Sequence, residues 1–355
     1  MRYFAIFSLV ASMLGSVSAG PVSRATTSYA RTSPPPGAVV VDQSGAIPGS
    51  HKTFQAGVDA LSDKTTKDQY LFIAPGTYFE QVYLRPLASH LTIQGYTTDA
   101  RSYEENKVTL TYNLALIKTT TDDLTATFRA HSSNTKMYNL NIKNTFGHVK
   151  KGGQNLALSS YAGDVAFYGC QFWGYQDTIL ADYGVQLFAK CLILGAVDFI
   201  FGTKPLAWFE KVDIRTIAKG SITASGRAAA DVNSWFVINN SNINMADPKD
   251  QYNSTKDLTA QNSLGRPWGP FARVCFQNSY LGKNIKPEGW SQWSDSNPNI
   301  DNPTFVEYHN SGPGSILQTG PRANFSSQLP AALEIKNILG ADYTTKFFYD
   351  ASYMS

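Results

Sequence analysis

Two aspartates in this chain stand at one offset from two cysteines: Cys170-x-x-x-Gly174-x-x-Asp177 recurs 21 residues later as Cys191-x-x-x-Gly195-x-x-Asp198. Phe167, Phe188 and Phe209 keep the same step, and Val212 stands where a third cysteine would fall. A repeat of this length marks stacked coils. In such a stack, residues one coil apart lie above one another at the strand spacing, about 4.8 Å, so Asp177 and Asp198 are vertical neighbours. Two carboxylates that close titrate as a coupled pair, one pushed up and one held low, which sets an acid beside a nucleophile. A nearby cation decides which is which, and Arg266 in Leu264-Gly265-Arg266-Pro267-Trp268 is the candidate. Gln176 precedes Asp177, and Gln154 lies 22 residues before Gln176. Two amides then point into the same space as neutral donors, which is what the oxyanion of an acyl transfer requires. Trp173, Tyr175, Phe201 and Trp268 add aromatic faces able to stack on sugar rings. Taken singly, each of these residues is commoner as a turn former, a solvated amide or a core ring; their joint occurrence in coil register is what points to a site.

Other chemistries lack their signatures. There is no Gly-x-Ser-x-Gly elbow, no His-Glu-x-x-His and no paired Cys-x-x-Cys. The five histidines, His51, His90, His131, His148 and His309, lie outside every cluster named above, and no Gly-x-Gly-x-x-Gly or P-loop follows a strand. No metal and no cofactor is expected. A formal charge of +3 concentrates in no basic domain, so nucleic acid is not an expected partner.

The elements that must hold these residues read as an all-β solenoid. With 355 residues, 43% hydrophobic and 16% charged, the chain can bury one large core. Residues 1–19 have the apolar run and small-residue end of a signal peptide, which implies a secreted, extracellular protein. Residues 20–37, with Pro34-Pro35-Pro36, read as a linker or short pro-segment, leaving 38–355 as a single catalytic domain, expected to be monomeric. No later stretch could span a membrane. Asn239, Asn253 and Asn324 open glycosylation sequons. In an oxidising compartment the coil register pairs Cys170 with Cys191 in a disulfide and leaves Cys275 free, the alternative being buried thiols.

Ser50 is the expected N-cap of a helix carrying Phe54, Val58 and Leu61 on one stripe, a lid for the end of the solenoid. Leu91-Thr92-Ile93, Val108-Thr109-Leu110 and Leu140-Asn141-Ile142 alternate as strands do. Steps near 20 residues are too short for βαβ units, so a parallel β-helix is the economical fold. Asp247 to Gly269 is polar and irregular, a long loop beside the expected substrate groove. Ala331 to Leu339 has helical spacing, followed by an aromatic tail at Phe347, Phe348 and Tyr349 that should pack back on the coils.

Five blocks, Gly76-Thr77-Tyr78-Phe79-Glu80, Gln154-Asn155-Leu156-Ala157-Leu158, Gly174-Tyr175-Gln176-Asp177-Thr178, Asp198-Phe199-Ile200-Phe201-Gly202 and Leu264-Gly265-Arg266-Pro267-Trp268, occur in order and resemble the pectin methylesterases. The resemblance covers the chain from about Ala38 onward and implies a right-handed parallel β-helix acting on methyl-esterified homogalacturonan (pectin) without a cofactor. It implies Asp198 as nucleophile, Asp177 as general acid and then base, Gln154 and Gln176 as oxyanion donors and Arg266 as the orienting cation. Phe201, Trp268 and Trp290 would line sugar subsites, with Tyr175 nearby, and the paired Cys170 and Cys191 resemble a bridge often seen in the family. Asn155 and Leu156 depart from the commoner Gln-Ala-Val-Ala-Leu form, and Leu180 stands where many members place a tyrosine, so altered subsite preference is expected. The missing inhibitory pro-region resembles microbial, fungal members. A glycoside hydrolase or lyase on the same scaffold, or a β-helix that only binds polysaccharide, are the competing readings.

Overall fold

The computed structural model describes Met1 and residues 29–247 and 257–355. The expected signal peptide beyond Met1, the first half of the linker and the Asn253 sequon lie outside the described residues. Within them, strands form three parallel sheets of eleven, seven and eight members, and each strand pairs with its counterpart one coil away. This is the expected parallel β-helix. All three sheets turn one face inward onto a continuous apolar interior running from Val41 to Phe305, the arrangement that lets parallel strands read as nearly unbroken apolar runs.

The 21-residue step is one coil. Phe167 pairs with Phe188 and Phe188 with Phe209, and their rings stack at 4.8 and 4.6 Å between centroids. Gln171 pairs with Leu192 and Leu192 with Asp213, which puts Cys170, Cys191 and Val212 in one buried column. Both cysteines are buried thiols in this structure, stacked closely enough to interact with one another, the juxtaposition a bridge between them would need. Cys170 Sγ also lies 3.7 Å from Met137 O and Cys191 Sγ 3.4 Å from Phe167 O.

The glycine of the repeat has a steric reason. A methyl on Gly195 would meet Phe199 Cβ at 2.4 Å and Thr178 Oγ1 at 2.8 Å, and one on Gly174 would meet Thr178 Oγ1 at 2.6 Å. The chain folds so tightly before each aspartate that no side chain fits. Gly195→Ala is therefore expected to destabilise by about 1–3 kcal/mol, the usual cost of overpacking, seen as a lower midpoint in thermal unfolding.

Both ends of the stack are closed. The helix Phe54–Asp59 covers the first coils, with Phe54 and Val58 buried. Its N-cap is Thr53, whose Oγ1 accepts from Ala56 N at 3.1 Å, whereas Ser50 donates to Ile47 O. A second capping group comes from Glu80, whose carboxylate accepts from Phe54 N at 2.7 Å and Gln55 N at 2.9 Å; this gives the Gly76 to Glu80 block a structural task and places an anion at a helix N-terminus. The folded body begins before Ala38, since Arg31 bridges to Thr97 through both backbone groups and sets its guanidinium 4.2 Å from the Tyr138 ring centroid. At the other end, of the expected helix from Ala331 to Leu339 only Ile335–Leu339 is helical. Leu333 instead exchanges two hydrogen bonds with the Gln277 side chain, at 2.9 and 3.0 Å, which holds it out of the helix. The aromatic tail packs back as expected: Phe348 and Tyr353 are buried, and Tyr168 donates to Phe348 O at 2.6 Å.

Of the sequons, Asn324 is exposed. Asn239 is buried, its amide donating to Glu210 and accepting from Gln277 and Asn278 at 2.8 to 3.0 Å. A glycan there would break that network in the folded chain, so Asn239 is withdrawn as a candidate.

Candidate active site

Asp177 and Asp198 sit at corners between the eight-stranded and seven-stranded sheets, just before the strands Ile179–Ala181 and Ile200–Gly202. Both corners need a left-handed backbone, with φ of 62° and 51°, which aspartate tolerates better than most residues. The turn requirement and the chemistry thus select the same side chain. Ile179 pairs with Ile200, so the aspartates are one coil apart, and Asp177 N donates to Val197 O at 3.0 Å. Gln176 is bridged to Gln154 on one side and Val197 on the other. Three successive coils therefore deliver two amides and two carboxyls to one surface.

That surface is a cavity of about 220 Å³ lined by Gln154, Gln176, Asp177, Asp198, Phe201 and Arg266, together with Asp122, Ala224, Trp268 and Trp293. Both catalytic candidates are nearly enclosed, Asp177 at 7% exposure and Asp198 at 4%. Arg266 grips Asp198 in bidentate fashion, Nε to Oδ1 at 2.8 Å and Nη2 to Oδ2 at 2.5 Å. Its third arm donates to Trp293 O at 3.1 Å, and the guanidinium lies 4.2 Å from the Trp293 ring centroid. This planar fork is what arginine offers and lysine does not. Arg266→Lys is expected to keep the positive charge yet lose at least about tenfold in turnover, because one bidentate contact of roughly 1.4 kcal/mol or more disappears; steady-state kinetics check it.

The pair is electrostatically unequal. Burial pushes the Asp177 carboxyl well above its usual range, the charges of Asp198 and Asp122 push it further, and Arg266 only partly offsets this. Burial also raises Asp198, but hydrogen bonding and attraction to Arg266 pull it back. Asp177 is consequently the group that keeps its proton longer. Gln154 and Gln176 make no side-chain hydrogen bonds among the described residues, and Gln154 Oε1 is buried without a partner. Their amides are free to bind an incoming oxyanion.

The aromatics divide. Phe201 and Trp268 face each other across the cavity rim with centroids 6.1 Å apart, Trp268 being 39% exposed. Trp268 lies flat over Gly226, where a methyl would meet its ring at 2.4 Å. Trp290, expected at a sugar subsite, is instead in the core, 1% exposed and stacked on Phe305 at 4.4 Å. It is bridged to Gly265 and so supports the strand that carries Arg266. Trp293, one helical turn's spacing further along, takes the place at the cavity; the sequence offered two tryptophans and no sign of which faced out. Tyr175 packs against His148, centroids 4.8 Å apart, and does not line this cavity. Arg266 itself stands on a strand, Asn262–Pro267, rather than on the expected loop.

Asp122 escaped the sequence reading, and so did the contacts that Asn155 makes. Asn155 is wholly buried, and its Oδ1 accepts from Tyr175 N at 3.2 Å and Gln176 N at 3.0 Å. At Asn155 the departure from the commoner family form thus bears on the backbone that presents Gln176. Asp122 lines the cavity with Oδ1 unpartnered, and burial raises its carboxyl. Its neighbour Asp123 is also buried, but hydrogen bonds from His131, Arg129 and Ser159 hold it well below the usual range. Leu180 packs beneath Phe201 in a small apolar cluster with Leu156.

The chain as a whole is similar to known proteins. The sequence model of the Pectinesterase family matches residues 38–345. A pectinesterase of Aspergillus niger is 43% identical over 351 residues, 98% of this chain and 99% of that protein. The chain belongs to the pectinesterase family. A second pectinesterase, from Aspergillus aculeatus, is 44% identical over 350 residues, again 98% of this chain and 99% of that protein. Among solved structures, the Aspergillus niger pectin methylesterase superposes with a TM-score of 0.81 at 37% identity, covering 91% of this chain and 100% of that one. The carrot pectin methylesterase gives 0.76 at 26%, covering 90% and 98%. This pectinesterase therefore shares its fold with fungal and plant relatives across nearly the whole body.

Proposed function

We propose that this pectinesterase removes methyl groups from methyl-esterified homogalacturonan through a covalent aspartyl intermediate, and that it acts outside the cell. The observation that carries the mechanism is the inequality of the two aspartates, one clamped by Arg266 and the other left without a cationic partner of its own. An Asp198 carboxylate oxygen attacks the ester carbonyl carbon, and negative charge moves onto the carbonyl oxygen, where the Gln154 and Gln176 amides receive it. The bond to the methoxy oxygen breaks as Asp177 delivers its proton there, and methanol leaves. Asp177, now ionised, takes a proton from water; the resulting hydroxide attacks the same carbon and expels Asp198. The product is a galacturonic acid unit on an intact chain, which gives its proton to solvent and leaves as the free carboxylate. Phe201 and Trp268 supply rings for sugar stacking at the cavity mouth.

Product analysis on methylated pectin tests the reading. Methanol without new reducing ends or unsaturated ends supports it; reducing ends would indicate chain hydrolysis and unsaturated ends elimination. The apolar N-terminal run and the fungal character of the relatives support export. Among the described residues no helix is long and apolar enough to cross a membrane.

A further inference from the structure

We propose that a second cavity, directly above the catalytic pair, is a binding site for the free carboxylate of an already de-esterified galacturonate residue, an inference that rests on the function proposed above. Asp198 N donates to Ser221 O at 2.7 Å, and Ser221 pairs with Ser263. The column of the solenoid that holds Asp177 and Asp198 therefore continues upward as Ser221 and Ser263, about 5 and 10 Å from Asp198 at one strand spacing per coil. These two serines open onto a cavity of about 320 Å³ whose wall also includes Lys219, Lys286, Gln261 and Ser291.

The cavity has the chemistry of an anion site. Lys219 and Lys286 are close enough to act on each other, and neither ammonium is paired with a carboxylate in an ion pair among the described residues. Burial makes Lys286 easier to deprotonate; the charge of exposed Glu288 opposes this, and the charge of Lys219 adds a smaller push in the same sense as burial. An anion between the two lysines relieves that repulsion. Ser221 Oγ and Ser263 Oγ lie 2.7 Å apart and share one hydrogen bond; two hydroxyls carry two protons, so one O–H remains to donate. Hydroxyl, amide and two ammonium groups are all donors, which suits a carboxylate and gives a neutral methyl ester no ionic partner. A polymer lying along the column would place a demethylated unit here while its neighbour's ester sits over Asp198, so the site reads the state of the adjacent residue.

Direct binding of unesterified oligogalacturonate, followed by calorimetry at low and high salt, tests this. The Lys219→Gln, Lys286→Gln double variant is expected to bind on the order of tenfold more weakly than wild type, the worth of a charge-assisted contact, and with a shallower salt dependence. The Lys219→Arg, Lys286→Arg variant should retain the affinity. Equal affinity of the glutamine variant and the wild type, in protein with an unchanged thermal midpoint, overturns the proposal. Methanol release by the wild type, measured on the same preparations, judges the esterase reading separately.

Discussion

Asp198→Ala is expected to lose methanol release by about 10⁴-fold or more while still binding pectin oligomers, because removing a nucleophile leaves only the binding groups and the oxyanion donors. The size of the effect follows from the enclosure of the site. Asp198 is 4% exposed in a cavity of about 220 Å³, and the other two carboxyls that line it, Asp177 and Asp122, are raised by burial with no cation gripping them. The substitution also leaves Arg266 facing an empty place, so a lower thermal midpoint accompanies the loss; Asp198→Asn, which keeps a hydrogen-bond acceptor for one arm of the guanidinium, should recover part of the stability and none of the turnover. Methanol release near the wild-type rate in either variant would remove Asp198 from its role.

The second large effect has two parts of opposite sign. Asp177→Asn is expected to lower turnover by about 10²–10⁴-fold, the usual contribution of general acid and base catalysis, and to raise stability at neutral pH. The sign follows from the raised carboxyl. A folded chain that holds a proton more tightly than the unfolded one is favoured below the unfolded value, near 3.9, and loses that advantage as pH rises through the folded value. At neutral pH the wild type must either ionise a buried carboxyl beside Asp198 or keep it protonated against the solution, and each tenfold of acidity so displaced costs about 1.4 kcal/mol. Asparagine has no proton to lose. The difference in unfolding free energy between variant and wild type should therefore be present at pH 7 and vanish near pH 3. A difference independent of pH would mean that Asp177 is not the group under strain.

This trade is a reason the site stands out physically. Most buried carboxylates among the described residues are compensated: Glu307 is gripped by Arg322 at 2.8 Å, and the half-buried Asp123 is likewise held by three donors. Asp177 is not, and Asp122 beside it is not. Uncompensated burial is costly for folding and useful for proton transfer.

Much of the fold was legible because a solenoid repeats its environment at a fixed chain interval. The 21-residue step of Phe167, Phe188 and Phe209 became a stack of rings, and the same step set Asp177 against Asp198. The glycines before each aspartate were visible as a pattern, though the reason, a methyl's clash with Phe199 or Thr178, was not. The cap helix was visible in its apolar stripe, but its N-cap shifted from Ser50 to Thr53 because Glu80, from a later strand, claims the first amides.

Local periodicity, then, was enough to determine the coil, the ladder and the stacked carboxylates, since each depends only on residues a constant distance apart in the chain. Contacts between distant segments decided the rest. Trp290 went inward onto Phe305 and Trp293 outward over Arg266; Asn239 was absorbed into the Glu210 and Gln277 network; and Asp123 found His131, Arg129 and Ser159 while Asp122 was left facing the cavity. In each case two similar side chains, or two uses of one, compete for partners brought by other coils, and only the packed tertiary structure fixes which of them meets a partner and which meets the substrate.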